Sequence, residues 1–261
     1  MELGIRGRSA LVLGGGGGLG SAIANALAAE GVKIAVADID GAAVKGSVDK
    51  IEANGGEALG LVWDLSDLTA VDKNISAIEK RFGAVDILVN ITGGPPPTPA
   101  AGQDPSLWSK HFSAMVLSVI AITDRVLPNM KTRAWGRIIT STSSGVVAPI
   151  PNLAISNALR LSLVGWSKTL AREVARDGIT ANIILPGRIR TDRIRFLDEA
   201  KAKREGRPVE AVTAESTDSI PIGRYGEPKE YADTVAFLAS DRASYITGSV
   251  IRVDGGLIAS I

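Results

Sequence analysis

The chain has 261 residues, with 29 Lys and Arg against 28 Asp and Glu, one histidine and no cysteine. That length suits one large α/β domain with a full core, and the near-zero net charge gives no field that would gather nucleic acid. The lack of cysteine excludes disulfide frameworks, thiolate metal sites, iron–sulfur clusters and cysteine nucleophiles, and His111 alone cannot make a multi-histidine metal centre, so no metal site is expected.

The N-terminal run carries Glu2, Arg6 and Arg8 ahead of a short apolar stretch that is no secretory h-region. No stretch approaches about 18 uninterrupted apolar residues. A cytoplasmic protein without a membrane partner is expected.

Along the chain, short apolar runs bounded by glycine or aspartate alternate with amphipathic stretches, the rhythm of βαβ units around a parallel sheet. Strands are predicted at Ser9–Leu13, Lys33–Ala37, Ala58–Trp63, Asp86–Val89, Arg137–Thr140, Ala181–Leu185 and Val250–Val253. Helices are predicted over Leu19–Glu30, Gly41–Asn54, Leu68–Phe82, Pro105–Asn129, Asn152–Arg176 and Pro228–Ser240. Pro105 and Pro228 fall where a first helical turn tolerates proline. No composition break divides residues 1–261, so a single domain is expected. Two segments leave the rhythm: the proline-stiffened Gly93–Gln103 and the charged Arg188–Asp218. Both read as long loops at the carboxyl ends of their strands, where open α/β sheets bind ligands, and residues 188–218 as a substrate lid.

The first strand runs into Gly14-Gly15-Gly16-Gly17-Gly18-Leu19-Gly20 and then a helix. Glycines at such a turn let a pyrophosphate approach the main chain, and the helix N-terminus favours an anion. The second strand then ends in Asp38, placed to accept hydrogen bonds from an adenosine ribose diol and to repel a 2′-phosphate. Neither Gly17 nor Ile39 supplies a positive charge, so the expected cofactor is NAD rather than NADP.

With these motifs the chain resembles a short-chain dehydrogenase/reductase from Arg8 to Gly256. The T-G-x-x-x-G-x-G loop of that family appears as Leu13-Gly14 through Gly18-Leu19-Gly20, and its adenine-holding C-D-V segment as Trp63-Asp64-Leu65. Its N-N-A-G motif appears as Asn90-Ile91-Thr92-Gly93, and its N-x-x-x-P-G turn as Asn182 to Pro186-Gly187. Ile189 follows in the cofactor-binding stretch, and Thr191 falls where the family holds the nicotinamide carboxamide. The segment from Ile220 to Gly256 is similar to that of 3-oxoacyl carrier-protein reductases and sugar or polyol dehydrogenases. The resemblance implies a Rossmann-type, doubly wound, seven-stranded parallel sheet with helices on both faces, and a homotetramer.

The resemblance breaks at the catalytic tetrad of Asn, Ser, Tyr and Lys. Anchoring on Gly165-Trp166-Ser167-Lys168 puts Ser156 at the tyrosine position and Arg160 at the lysine position, while Met115 takes the asparagine position. Ser143 keeps the serine position. Ser156 and Arg160 lie four apart, on one helical face. Arg160 stays cationic and donates in a fixed fork, so it suits a carboxylate or developing oxyanion but not proton delivery. The expected catalytic set is therefore Ser143, Ser156 and Arg160, with proton exchange through the serines and water. The substrate is read as a polar or acidic small molecule, since Arg188, Arg190, Arg193 and Arg195 crowd the start of the lid. Two alternatives stay open: a protein that binds NAD without turnover, and a lyase on the same fold. His111 reads as a packed or interface residue.

Overall fold

The computed structural model describes residues 2–261. Seven strands, β1 (Ser9–Leu13), β2 (Lys33–Asp38), β3 (Ala58–Val62), β4 (Ile87–Asn90), β5 (Gly136–Ser141), β6 (Ile179–Pro186) and β7 (Val250–Val253), form one sheet in the order β3-β2-β1-β4-β5-β6-β7. Every pairing is parallel. The sheet is Rossmann-type and doubly wound. After β3 the chain crosses back to place β4 beside β1, so the loops leaving β1 and β4 diverge and open a crevice at their carboxyl ends.

The apolar strand sequences follow from cover on both faces. Ala10, Val12, Ile34, Val36, Ile87 and Val89 pack toward α1 (Gly18–Ala29) and α9 (Pro228–Leu238). Leu11, Leu13, Ala35, Ala37, Leu88 and Ile138 face the other way, toward α3 (Val71–Phe82), α5 (Ser118–Thr132) and α6 (Ala154–Val174). Local chemistry sets the helix starts: the Asp40 carboxylate accepts from the Ala42 and Ala43 amides to begin α2 (Gly41–Ala53), and Glu227 with Glu230 forms a capping box for α9 behind Pro228.

Three expected elements differ. The segment 188–218 is not a loop: it holds α7 (Asp192–Glu205), capped by Thr191 and ended by left-handed Gly206, and α8 (Val209–Asp218). These helices carry no continuous apolar stripe, so periodicity misses them; they are held by caps, by Lys201 and Arg207 on Glu215, and by buried Asp198. The long helix predicted from Pro105 is interrupted. α4 (Pro105–Phe112) passes through a π-helical turn at Ser113–Leu117 into α5. The stretch before α3 begins as a 3-10 turn at Leu68–Ala70.

Taken together, Pro105–Thr132 is 28 residues long and passes a length and hydropathy test for a membrane span. Six of its apolar side chains, Met115, Val116, Val119, Ile122, Val126 and Met130, are buried against α6 and the sheet, while Phe112 and Leu117 are exposed.

Candidate active site

A cleft of about 850 Å³ lies over the carboxyl ends of the strands. Its walls include Gly14, Gly18, Leu19, Gly20, Asp38, Asp64, Leu65, Gly93, Ser143, Ser156, Arg160, Pro186, Gly187, Ile189 and Thr191. Among the residues singled out in the sequence, Gly15, Gly16, Asn182, Arg190 and Arg195 stay off the wall, and so does Asn90. Asn90 is buried beneath it, donating from Nδ2 to Thr140 Oγ1 at 3.1 Å, so it ties β4 to β5 under the site.

The glycine loop is shaped by contact as much as by conformation. Gly14 and Gly18 have φ of 62° and 51°, which favour glycine, and a Cβ on Gly20 would fall 1.9 Å from the Gly14 carbonyl. At Gly17 a Cβ would meet nothing within 4 Å, which leaves the main chain at the N-terminus of α1 open to the cleft. Beside the loop, Asp38 accepts from the Gly16 amide at 3.1 Å and the Asp40 amide at 3.2 Å, which fixes its carboxylate at the end of β2. Asp64 is held in its ionised form first by the Ser66 amide and hydroxyl and then, against some burial, by Lys110. Two carboxylates thus mark this end of the cleft. The Thr92 and Thr142 hydroxyls are buried on the cleft wall without a partner among the described residues, as expected of groups that face a ligand or water. A glycine cradle, an ordered carboxylate at the strand end and unpartnered hydroxyls fit a nicotinamide dinucleotide.

The other end is built by α6, its preceding loop and α7. The Ser143 hydroxyl accepts from the Gly145 amide at 3.1 Å, so its own proton remains available. Asn157 clasps Ile150 through both main-chain groups, and the Ala154 amide, at the uncapped start of α6, donates to Thr98 of the proline-rich loop. Those bonds set Ser156, 6% exposed, on the cleft wall with no hydrogen-bond partner among the described residues. Arg160 is 8% exposed. Its Nη2 donates to the Thr92 carbonyl at 3.0 Å and the Gly93 carbonyl at 3.3 Å, and Nη1 to the Ser141 carbonyl at 3.4 Å. Loss of hydration, and next the nearby Arg193, push its pKa down to about 10, so it stays charged near neutrality. The guanidinium therefore also clamps main chain, where the sequence suggested substrate contact alone.

No tyrosine lines the cleft among the described residues. Tyr231 is buried under the sheet end against the Ser141 hydroxyl at 2.8 Å, Tyr225 is bonded to Asp198, and Tyr245 is fully exposed. Met115 lies on the wall at the π-helical turn. His111, expected as a packed or interface side chain, is half-buried and borders the cleft one turn before Met115, with a pKa lowered by burial and then by Lys110. Its spacing from Met115 was the available signal, since positions four apart share a helix face. Thr191 caps α7, its hydroxyl accepting from the Ile194 amide and donating to the Ile189 carbonyl through long bonds of 3.4 and 3.3 Å.

The four arginines at the start of 188–218 separate by partner. Arg188 pairs with Asp198, Arg190 with Glu227 and Arg195 with Asp192. Arg193 donates instead to the Pro95 carbonyl at 2.8 Å, half-buried on the cleft wall.

The family described as Enoyl-(Acyl carrier protein) reductase matches residues 15–258. The chain is 37% identical over 254 residues to the 3-oxoacyl-(acyl-carrier-protein) reductase FabG of Salmonella typhimurium, covering 96% of this chain and 97% of that one. It is 34% identical over 250 residues to the reductase MabA of Mycobacterium tuberculosis, covering 96% and 92%. Among solved structures, L-sorbose reductase from Gluconobacter frateurii, complexed with NADPH and L-sorbose, superposes with a TM-score of 0.94 at 30% identity and full coverage of both chains.

Proposed function

Because the chain belongs to the short-chain dehydrogenase/reductase family, we propose that it is a nicotinamide-dependent oxidoreductase exchanging a hydride with a hydroxyl or carbonyl group of a polar small molecule. The observation that carries the reading is one continuous cleft joining the glycine loop and Asp38 to Ser143, Ser156 and Arg160. NAD is the proposed dinucleotide. The L-sorbose reductase complex holds NADPH, but here the ribose end presents the carboxylates of Asp38 and Asp64, with Lys110 near enough to help keep Asp64 ionised. A 2′-phosphate beside Asp38 would meet like charge.

When bound, the dinucleotide supplies or takes the hydride. Gly14 through Gly20 and the α1 N-terminus would hold its phosphates, Asp38 its ribose diol, Asp64 and Leu65 its adenine, and Gly93, Pro186, Gly187, Ile189 and Thr191 its nicotinamide end. Ser143 and Ser156 hydrogen-bond the substrate oxygen. Arg160, cationic and desolvated, stabilises negative charge developing there without giving up a proton. The proton passes through the serine hydroxyls and water. A tyrosine acid–base group contributes about 10²- to 10⁴-fold in a typical enzyme, so slow turnover is expected without one.

A second reading is favoured by one observation: Arg160 spends donors on three main-chain carbonyls, as a purely structural residue would. On that reading the protein binds NAD without turnover. Absorbance assays with NAD or NADH and a panel of hydroxy acids, oxo acids and polyols separate the two. Turnover that falls at least tenfold in Ser156→Ala supports the enzyme; tight NADH binding with no turnover on any member favours the second reading. A homotetramer is also proposed, since Phe112, Leu117 and Leu161 are exposed on α4, the π-helical turn and α6; sedimentation velocity tests it.

A further inference from the structure

We propose that the substrate end of the cleft receives an oxyanion group of the substrate, carboxylate or phosphoryl, between Arg160 and Arg193. The proposal rests on the oxidoreductase reading above only in calling the occupant the substrate.

The two guanidiniums grip one loop. Arg160 holds the carbonyls of Thr92 and Gly93, and Arg193 holds that of Pro95. Gly94 between them leaves the room this needs, because a Cβ there would sit 2.8 Å from Arg193 Nη2. Both cations line the cleft. Loss of hydration is the main cause lowering the pKa of each, and Arg193 lowers Arg160 further, which places their charges within reach of one another.

Neither arginine forms a salt bridge among the described residues, whereas the carboxylates around them are committed. Asp198 pairs with Arg188 and accepts from Tyr225, and Asp192 pairs with Arg195. Asp38 and Asp64 stand at the opposite, ribose end. The cleft is thus polarised, acidic at one end and cationic without a counterion at the other. Desolvated charges are retained at a cost that only an opposite charge offsets well. A carbonyl takes one N–H from a guanidinium that has five, so donors remain on both side chains for the paired oxygens of a carboxylate or phosphoryl group.

An anion could also come from the dinucleotide itself. Its phosphates belong at the glycine loop, where the open side of Gly17 faces the cleft. The Arg193 side chain turns instead to Gly94 and Pro95.

Calorimetric titration of the full chain, saturated with NADH, tests this with malonate and inorganic phosphate as anionic probes and malonamide as the neutral analogue of malonate. At least one anion should bind, with malonamide tenfold or more weaker than malonate if malonate is that anion and undetectable if phosphate is. Arg193→Gln should weaken the anion at least tenfold while changing NADH affinity less than twofold, which also shows that the variant is folded. Equal binding of malonate and malonamide, no binding of either anion, or an unaffected Arg193→Gln overturns the proposal. Parallel loss of NADH and anion in that variant assigns Arg193 to the dinucleotide phosphates and also overturns it. If wild-type protein fails to bind NADH, the oxidoreductase reading falls, and the same probes on the free protein still decide the anion site.

Discussion

The Tyr225 phenol donates to the Asp198 carboxylate across 2.7 Å where both side chains are buried, and Arg188 reaches the other carboxylate oxygen at 3.4 Å. One acid on α7 is thereby latched to the end of β6 and to the segment that leads into α9. The latch holds the face of α7 that carries Ile194, Leu197 and Lys201 against the cleft.

Tyr225→Phe removes one donor to a buried charge, a loss of about 1.5–3 kcal/mol when the partner stays ionised. The cost should appear locally. Amide exchange in Ile194–Ala202 is expected to quicken by about tenfold or more, with little change in β1 or β4. Unaltered protection in α7 would show that this helix is held by something else.

Two glycines separate fold from binding. Gly20→Ala would bring a Cβ to 1.9 Å from the Gly14 carbonyl, so α1 must shift from β1, and overpacking of this kind costs about 1–3 kcal/mol. Gly17 has φ −148°, ordinary for any residue, and open space around it. Gly17→Ala should leave the urea midpoint nearly unchanged while its methyl group, projecting into the cleft, weakens NADH binding. Equal stability losses in both variants would contradict the picture of an exposed cradle.

Ser143 and Ser156 differ in what else they do. Ser143 accepts from the Gly145 amide and starts a 3-10 turn, so Ser143→Ala should cost about 1 kcal/mol of stability as well as turnover. Ser156 has no hydrogen-bond partner among the described residues. Ser156→Ala should lower turnover on a substrate that the panel identifies with unchanged stability. Chemical denaturation beside steady-state rates reads both.

His111 gives a pH signature. Burial, then Lys110, holds its pKa below the ordinary 6.5. The unfolded chain therefore takes up the proton first, so stability is lost as pH falls through about 6.5 and is unaffected above it. The difference in urea midpoint between wild type and His111→Gln should be constant above about pH 7.5 and should move in favour of the variant below 6.5. As the single histidine, its imidazole resonance can be titrated directly by NMR, and a midpoint above 6.5 would contradict the burial argument.

Much of this site is legible in the sequence because its parts are local. The Gly14–Gly20 loop, Asp38 and Pro186-Gly187 are each fixed by a strand end and a turn, and apolar runs reveal such ends. What sequence reading loses is decided by tertiary contact. α7 and α8 have no apolar stripe to betray them, and their stability comes from caps and from charges such as Lys201 on Glu215. The pairing that, among the described residues, leaves Arg193 alone of the four arginines without a carboxylate depends on Asp198 being buried and Glu227 coming near, across separations that spacing does not encode. The π-helical turn was hidden for a related reason: a regular helical period gives no sign of an added residue.

The most direct test is a fluorescence titration of the purified chain with NADH and, separately, NADPH, repeated on Asp38→Ala. Micromolar NADH binding is expected, with NADPH at least tenfold weaker and that difference lost in the variant. Binding of neither dinucleotide, or tighter binding of NADPH than NADH by the wild type, would contradict the assignment of Asp38 to a ribose diol at the end of β2.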